Sequence, residues 1–211
     1  MPHYRKSRGF TIVELVIVIL VLGLLSAVAL PRFMDVSDEA HEAVFANVFG
    51  DMTTAEALFY GAWYIEGKKP GALVEGFGNG DLYAQNNNSG SPAGFTDATI
   101  DTNICLEIYQ GLLQNGAPTA VTATGSLADD DERELVVETA AGANPDADII
   151  AVFDITSGTF DGQTFSGCTY YYVDQYGSGT STSPHTIPVM LFGTGAAGKL
   201  SALASFEFND D

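Results

Sequence analysis

Basic residues are scarce in this chain. Eight Lys and Arg stand against 27 Asp and Glu, for a formal charge of −19. So acidic a surface repels phosphate backbones, which excludes nucleic acid as a partner of the isolated chain. Histidine is nearly absent as well. His3, His41 and His185 sit in no nucleophile elbow, zinc motif or phosphate-binding loop, and no enzymatic role is expected. Cysteine is limited to Cys105 and Cys168, with no CxxC and no paired histidines, which argues against a zinc site. Against these shortages, 46% of the residues are hydrophobic and 17% are charged, so a core can be built. A length of 211 residues allows one ordinary domain plus an appended element. The abundance of Gly, Asn, Ser and Thr beside the acids fits an exported surface exposed to salt.

The long hydrophobic run is at the start. A basic leader, with Arg5, Lys6 and Arg8, ends in Gly9, and an apolar stretch follows from Phe10 to Leu30. As a helix it would span about 32 Å, the thickness of a bilayer core. One acid, Glu14, lies inside it. A carboxylate at the centre of such a helix costs roughly 2.5–3.5 kcal/mol, less near the interface, so its presence asks for a reason. The leader is basic, while Asp35, Asp38, Glu39 and Glu42 follow the run after Arg32. The positive-inside rule then keeps the amino terminus in the cytoplasm and puts everything after Leu30 outside.

Pro31 follows directly and is expected to kink the helix, yet the apolar periodicity continues beyond it. Phe33, Val36, Ala40, Val44, Val48, Met52, Ala55 and Phe59 recur at steps of three and four, with acids between them. This predicts an amphipathic helix to about Tyr64, ended by Gly67-Lys68-Lys69-Pro70-Gly71. The region from Gly71 to about Thr102 reads as loop, and a short helix is expected around Cys105–Gln114. Strand patterns cover Glu134–Thr139, Asp148–Ile155, Cys168–Asp174, Thr186–Phe192 and Leu200–Phe208. The expected fold class is α+β, a long amino-terminal helix packed on an antiparallel sheet. The divisions are a leader at 1–9, a transmembrane helix at 10–30, an amphipathic half at 31–66 and a globular head at 67–211. An even cysteine count in an oxidising compartment implies one disulfide, with two buried free thiols as the alternative. Closing a loop of about 60 residues would stabilise by roughly 4 kcal/mol in the chain-entropy model.

The stretch Arg8-Gly9-Phe10-Thr11-Ile12-Val13-Glu14-Leu15, with Pro31 beyond it, resembles the amino terminus of type IV pilins and pseudopilins. The resemblance covers residues 5 to about 36 directly. It implies a prepilin peptidase that cuts between Gly9 and Phe10 and methylates the new amine at Phe10. It also implies that Glu14 pairs with the terminal amine of a neighbouring copy and sets axial register. An unpaired carboxylate in an apolar filament core is costly, so wrong registers are penalised. Pro31 matches the place where family helices bend or melt on packing. Cys105 and Cys168 resemble the carboxy-terminal disulfide of many pilins, although here the enclosed segment is long and 43 residues follow Cys168. Length and the stretch after Pro31 are similar to the mannose-sensitive haemagglutinin pilins.

The implied partners are further copies of the chain in a helical filament, the peptidase, the inner membrane and the pilus assembly machinery. The chain would rest in the inner membrane with its head in the periplasm, then leave in an extracellular filament serving adhesion or motility. The alternative within the family is a pseudopilin of a type II secretion system. From another class, the alternative is an exported soluble binding protein, cut after the Ala27-Val28-Ala29 site of an ordinary signal peptide. Asp97, Asp101 and Asn103, or the run Asp129-Asp130-Asp131-Glu132, offer the oxygen ligands that calcium takes, as head loops of some pseudopilins do. They lack EF-hand spacing, the acid run reads as a solvated face, and no cofactor is expected. Gly193-Thr194-Gly195-Ala196-Ala197-Gly198 has the outline of a dinucleotide loop but precedes a strand, so it reads as a hairpin turn. Tyr170, Tyr171 and Tyr172 are expected at alternating core and surface positions of a strand.

Overall fold

The computed structural model describes residues 10–77, 80–86, 89–95, 103–113, 116–125, 130–160, 163–173, 185–193 and 200–208. The chain divides into two units, Met1–His41 and Glu42–Asp211. The first helix, α1, Ile12–Ile65, contributes to both. Its backbone is helical at Pro31, and the side chains of residues 30–39, including Pro31, Phe33 and Val36, lie outside the described ones.

In the second unit, α1 buries Phe45, Val48, Met52, Phe59 and Trp63. These positions fall three, four or seven residues apart, the stripe that an amphipathic helix presents to a core. Val44, expected on that stripe, is exposed, because the buried face is centred one residue later, on Phe45. The stripe packs with α2, Ile104–Leu112, and with one face of a five-stranded sheet. Phe45 meets Tyr172 with ring centroids 5.4 Å apart.

A two-stranded hairpin, β1 (Leu73–Phe77) and β2 (Gly80–Tyr83), occupies part of the stretch expected to be loop. Its short strands carry Val74 and Leu82 into the core, a signal too brief to stand out among the glycines. The contact is close. A Cβ at Gly111 of α2 would lie 2.5 Å from the Leu82 side chain, so only glycine lets α2 seat on the hairpin.

The large sheet runs β3 (Ala120–Ala123), β4 (Ile149–Phe160), β5 (Gln163–Tyr172), β6 (His185–Gly193), β7 (Leu200–Phe208), in that spatial order. β4 to β7 pair antiparallel, as expected. β3 was not foreseen and pairs parallel with β4, so the sheet is mixed. Parallel neighbours need a crossover, and α3, Asp130–Ala143, supplies it between β3 and β4. This corrects the expected strand at Glu134–Thr139, which lies inside α3. The β-branched pair Val136-Val137 yields to helix formers around it and to acids in the first turn, where the helix dipole favours them.

α3 also corrects the reading of the tyrosines. Tyr170 and Tyr172 project into the core shared with α1 and α2, while Tyr171 projects the opposite way, into a second core with Val137, Ile150, Val152 and Val189. All three are buried, since helices cover both faces of the sheet. The turn expected at Gly193–Gly198 joins β6 to its antiparallel neighbour β7, and residues 194–199 lie outside the described ones.

Candidate functional site

The amino-terminal segment begins outside any helix. Phe10 is 88% exposed and Phe10 and Thr11 are non-helical, so α1 starts at Ile12. Thr11 and Glu14 then bond reciprocally. The Glu14 amide donates to Thr11 Oγ1 at 3.3 Å, and Glu14 Oε2 accepts the Thr11 amide and hydroxyl, each at 2.9 Å. This is a capping box, in which the first residue before the helix and the third within it satisfy each other's orphan donors. The acid therefore has a local structural role within its own chain. The signal is present in the sequence as a Thr-x-x-Glu just before an apolar run.

Behind the cap, Ile12–Ala29 is apolar all round and long enough to cross a membrane, and none of it is buried within the structure. Ile12, Ile19, Leu24 and Val28 are each more than half exposed. A surface of this size needs cover from lipid or from other protein. Gly9 lies outside the described residues, and so do Asp97, Asp101 and Asp129.

In the head, Cys105 of α2 and Cys168 of β5 are joined as a disulfide with Cα atoms 5.3 Å apart. Around it, the buried Tyr170 hydroxyl donates to the Cys105 carbonyl at 2.8 Å, and Tyr109 donates to the Pro118 carbonyl at 2.9 Å. Burial, reinforced by the neighbouring Tyr109, holds the Tyr170 phenol well above the usual tyrosine range. Burial, then the charge of Asp148 and Tyr172, raises Tyr109 too. Asn103 precedes α2 without capping it through its side chain, and Asp130, Asp131 and Glu132 open α3. Among the described residues, no group of three or more His, Cys, Asp or Glu side chains converges as a metal site.

A family model described as the prokaryotic N-terminal methylation motif matches residues 4–30. The type IV narrow pilus major component PilA5 of Thermus thermophilus is 50% identical over 38 residues, 18% of this chain and 33% of that protein. The type IV major alpha-pilin of Moraxella bovis is 28% identical over 135 residues, 63% of this chain and 78% of the relative. The fimbrial protein of Neisseria meningitidis is 31% identical over 121 residues, 57% of this chain and 58% of the relative. The chain thus spans less than two thirds of the first and third of these relatives. No solved structure matches it. The methylation motif thus leads into a capped, exposed apolar helix, and over stretches of up to 135 residues the chain is similar to type IV pilins.

Proposed function

We propose that this chain is the structural subunit of a type IV pilus, cut between Gly9 and Phe10, methylated at Phe10, and polymerised through the first half of α1. The observation that carries this is the conjunction of the methylation motif with an apolar helix of which no part is buried among the described residues. In the inner membrane, lipid shields residues 12–29. In the filament, the same residues of neighbouring copies shield one another, and the acidic heads form the outer surface. Pro31 lies where such a helix bends on packing.

Glu14 then has two jobs. Both bonds that its carboxylate accepts from Thr11 fall on one oxygen, Oε2. The carboxylate stays exposed and pairs with the methylated amine of a neighbouring Phe10 while still holding the helix start. Leaving that carboxylate unpaired in a dry filament core is costly, which selects the axial register.

The test is a non-reducing intact mass with amino-terminal mapping on chain from the native host, beside electron microscopy of sheared surface filaments. The reading expects a chain that begins at N-methylated Phe10 and is found in the filaments. A chain beginning at Leu30, or a processed chain never found in surface filaments, would sink it.

A further inference from the structure

Filament heads this acidic repel one another, so the few cations left on them matter. After the leader, the bases are Arg32, Lys68, Lys69, Arg133 and Lys199. Arg133 is 2% exposed, and the side chains of Arg32 and Lys199 lie outside the described ones. Among the described residues, Lys68 and Lys69 are therefore the exposed cations of the head.

They sit on a prepared platform. α1 ends in a Schellman motif, with the Gly67 amide bonded to the Tyr64 carbonyl at 3.3 Å and the Lys68 amide to the Trp63 carbonyl at 3.1 Å. Gly67 takes φ 98°, the left-handed conformation that this motif demands. Lys68 is also left-handed, at φ 57°, a strained choice for a residue with a Cβ. That conformation sets its ammonium 3.8 Å from the centre of the Tyr64 ring. The next residue is fixed from below, where the buried Trp63 indole donates to the Lys69 carbonyl at 2.8 Å. Around the two lysines Tyr64 is half exposed and Ile65 is 86% exposed. The result is a rigid knob, basic and aromatic, with an apolar tip.

The complementary surface lies on α3. Asp131, Leu135 and Glu138 are exposed and fall four and three residues apart, on one face of the helix. Leu135 is 64% exposed between the two acids. α1 belongs to the core on the Tyr170 and Tyr172 face of the sheet, and α3 to the core on the Tyr171 face. Knob and acidic face thus belong to opposite sides of one sheet.

We infer that the Tyr64–Lys69 knob of one copy docks on the Asp131–Leu135–Glu138 face of the next. The lysines meet the two acids, and Ile65 covers Leu135. Two unlike patches make a head-to-tail contact, which repeats along an open helical assembly and does not close as a two-fold dimer. The inference rests on the pilus-subunit reading and adds to it a contact between heads.

The full chain carries the test, in cells that assemble it, with filaments counted by electron microscopy. Subunit level and the Cys105–Cys168 bond are followed on non-reducing blots as the check on folding. Lys68→Glu with Lys69→Glu, and separately Asp131→Lys with Glu138→Lys, should each cut filament number about tenfold, the effect of a contact weakened by roughly 1.4 kcal/mol. The four changes together should restore assembly. In a second variant, Lys69→Cys with Glu138→Cys, oxidised filaments should give a ladder of cross-linked oligomers. Filaments of normal number from both reversal pairs, or cross-linking that stops at dimers, would overturn the contact and leave the subunit reading intact. A wild-type chain found in no filament would overturn both.

Discussion

The two halves of α1 are both rich in apolar residues, aliphatic in the first and largely aromatic on the buried stripe of the second, and do opposite things. Between Ile12 and Ala29 the helix is apolar round its circumference but for Glu14, and none of that stretch is buried. Between Phe45 and Trp63 it is apolar on one stripe, and that stripe is the floor of the head's core. The two halves differ in pattern as well as in amount of hydrophobicity. A stripe specifies one packing partner within the chain, whereas a helix apolar all round specifies only that water be excluded.

The sharpest way to break that comparison is to truncate one large side chain in each half. Phe59 packs edge-on against Phe77 with centroids 5.1 Å apart, and Phe59→Ala should destabilise the head by about 3–5 kcal/mol. Ile19→Ala should leave head unfolding within about 0.5 kcal/mol of wild type. Denaturation of the full chain in detergent, followed by the fluorescence of Trp63, the single tryptophan, reads both. Equal losses would show that the first half supports the head after all.

Next in size is the disulfide. Replacing both Cys105 and Cys168 with Ala should lower head stability by about 2–4 kcal/mol in the same assay, with the helicity of residues 12–29 unchanged. A head as stable as wild type would mean that packing alone holds α2 to β5. Thr11→Ala acts on the other half. Losing the capping hydroxyl should cost about 1 kcal/mol, seen as roughly fivefold faster hydrogen exchange at the Glu14 and Leu15 amides while Trp63 reports no change. Unaltered exchange would show that the capping box is not what starts the helix. Smallest is Val44→Ala, just off the buried stripe, for which a shift below about 0.5 kcal/mol is expected. A larger loss would move the edge of the stripe to include Val44.

The same contrast explains what could be read from the sequence. The apolar run, Glu14 and the three-and-four periodicity are local patterns, and each reports its own environment. The head was harder, because its elements are short and answer to partners distant in the chain. Arg133 hid α3 most effectively. At helical period the buried face reads Arg133, Val137 and Ala140, and a guanidinium in that stripe looks like a surface position. Its NH1 reaches the Tyr171 hydroxyl at 3.1 Å, a bond formed across 38 residues that no local window contains. Missing α3 then misplaced Tyr171, since without a second covering helix that face of the sheet had to be solvent. β3, four residues long, gains its place by pairing with β4 and not from any strength of its own. The amino-terminal candidates are neighbours in sequence, and the bond between Thr11 and Glu14 was overlooked although its spacing was in plain view.

The bond between Cys105 and Cys168 has a consequence for proteolysis. It closes a covalent ring that holds α2 after its first residues, β3, α3, β4 and the first part of β5. A protease that nicks any connection inside the ring cuts the backbone without releasing a fragment, and the severed ends stay within reach of their packing partners. The segment after Cys168 has no such protection. One cut between β5 and β6 would leave the last two strands held by sheet pairing and by the core side chains of β6, with no covalent tie to the rest of the head. Proteolysis of the head should therefore release β6 and β7 before the other strands.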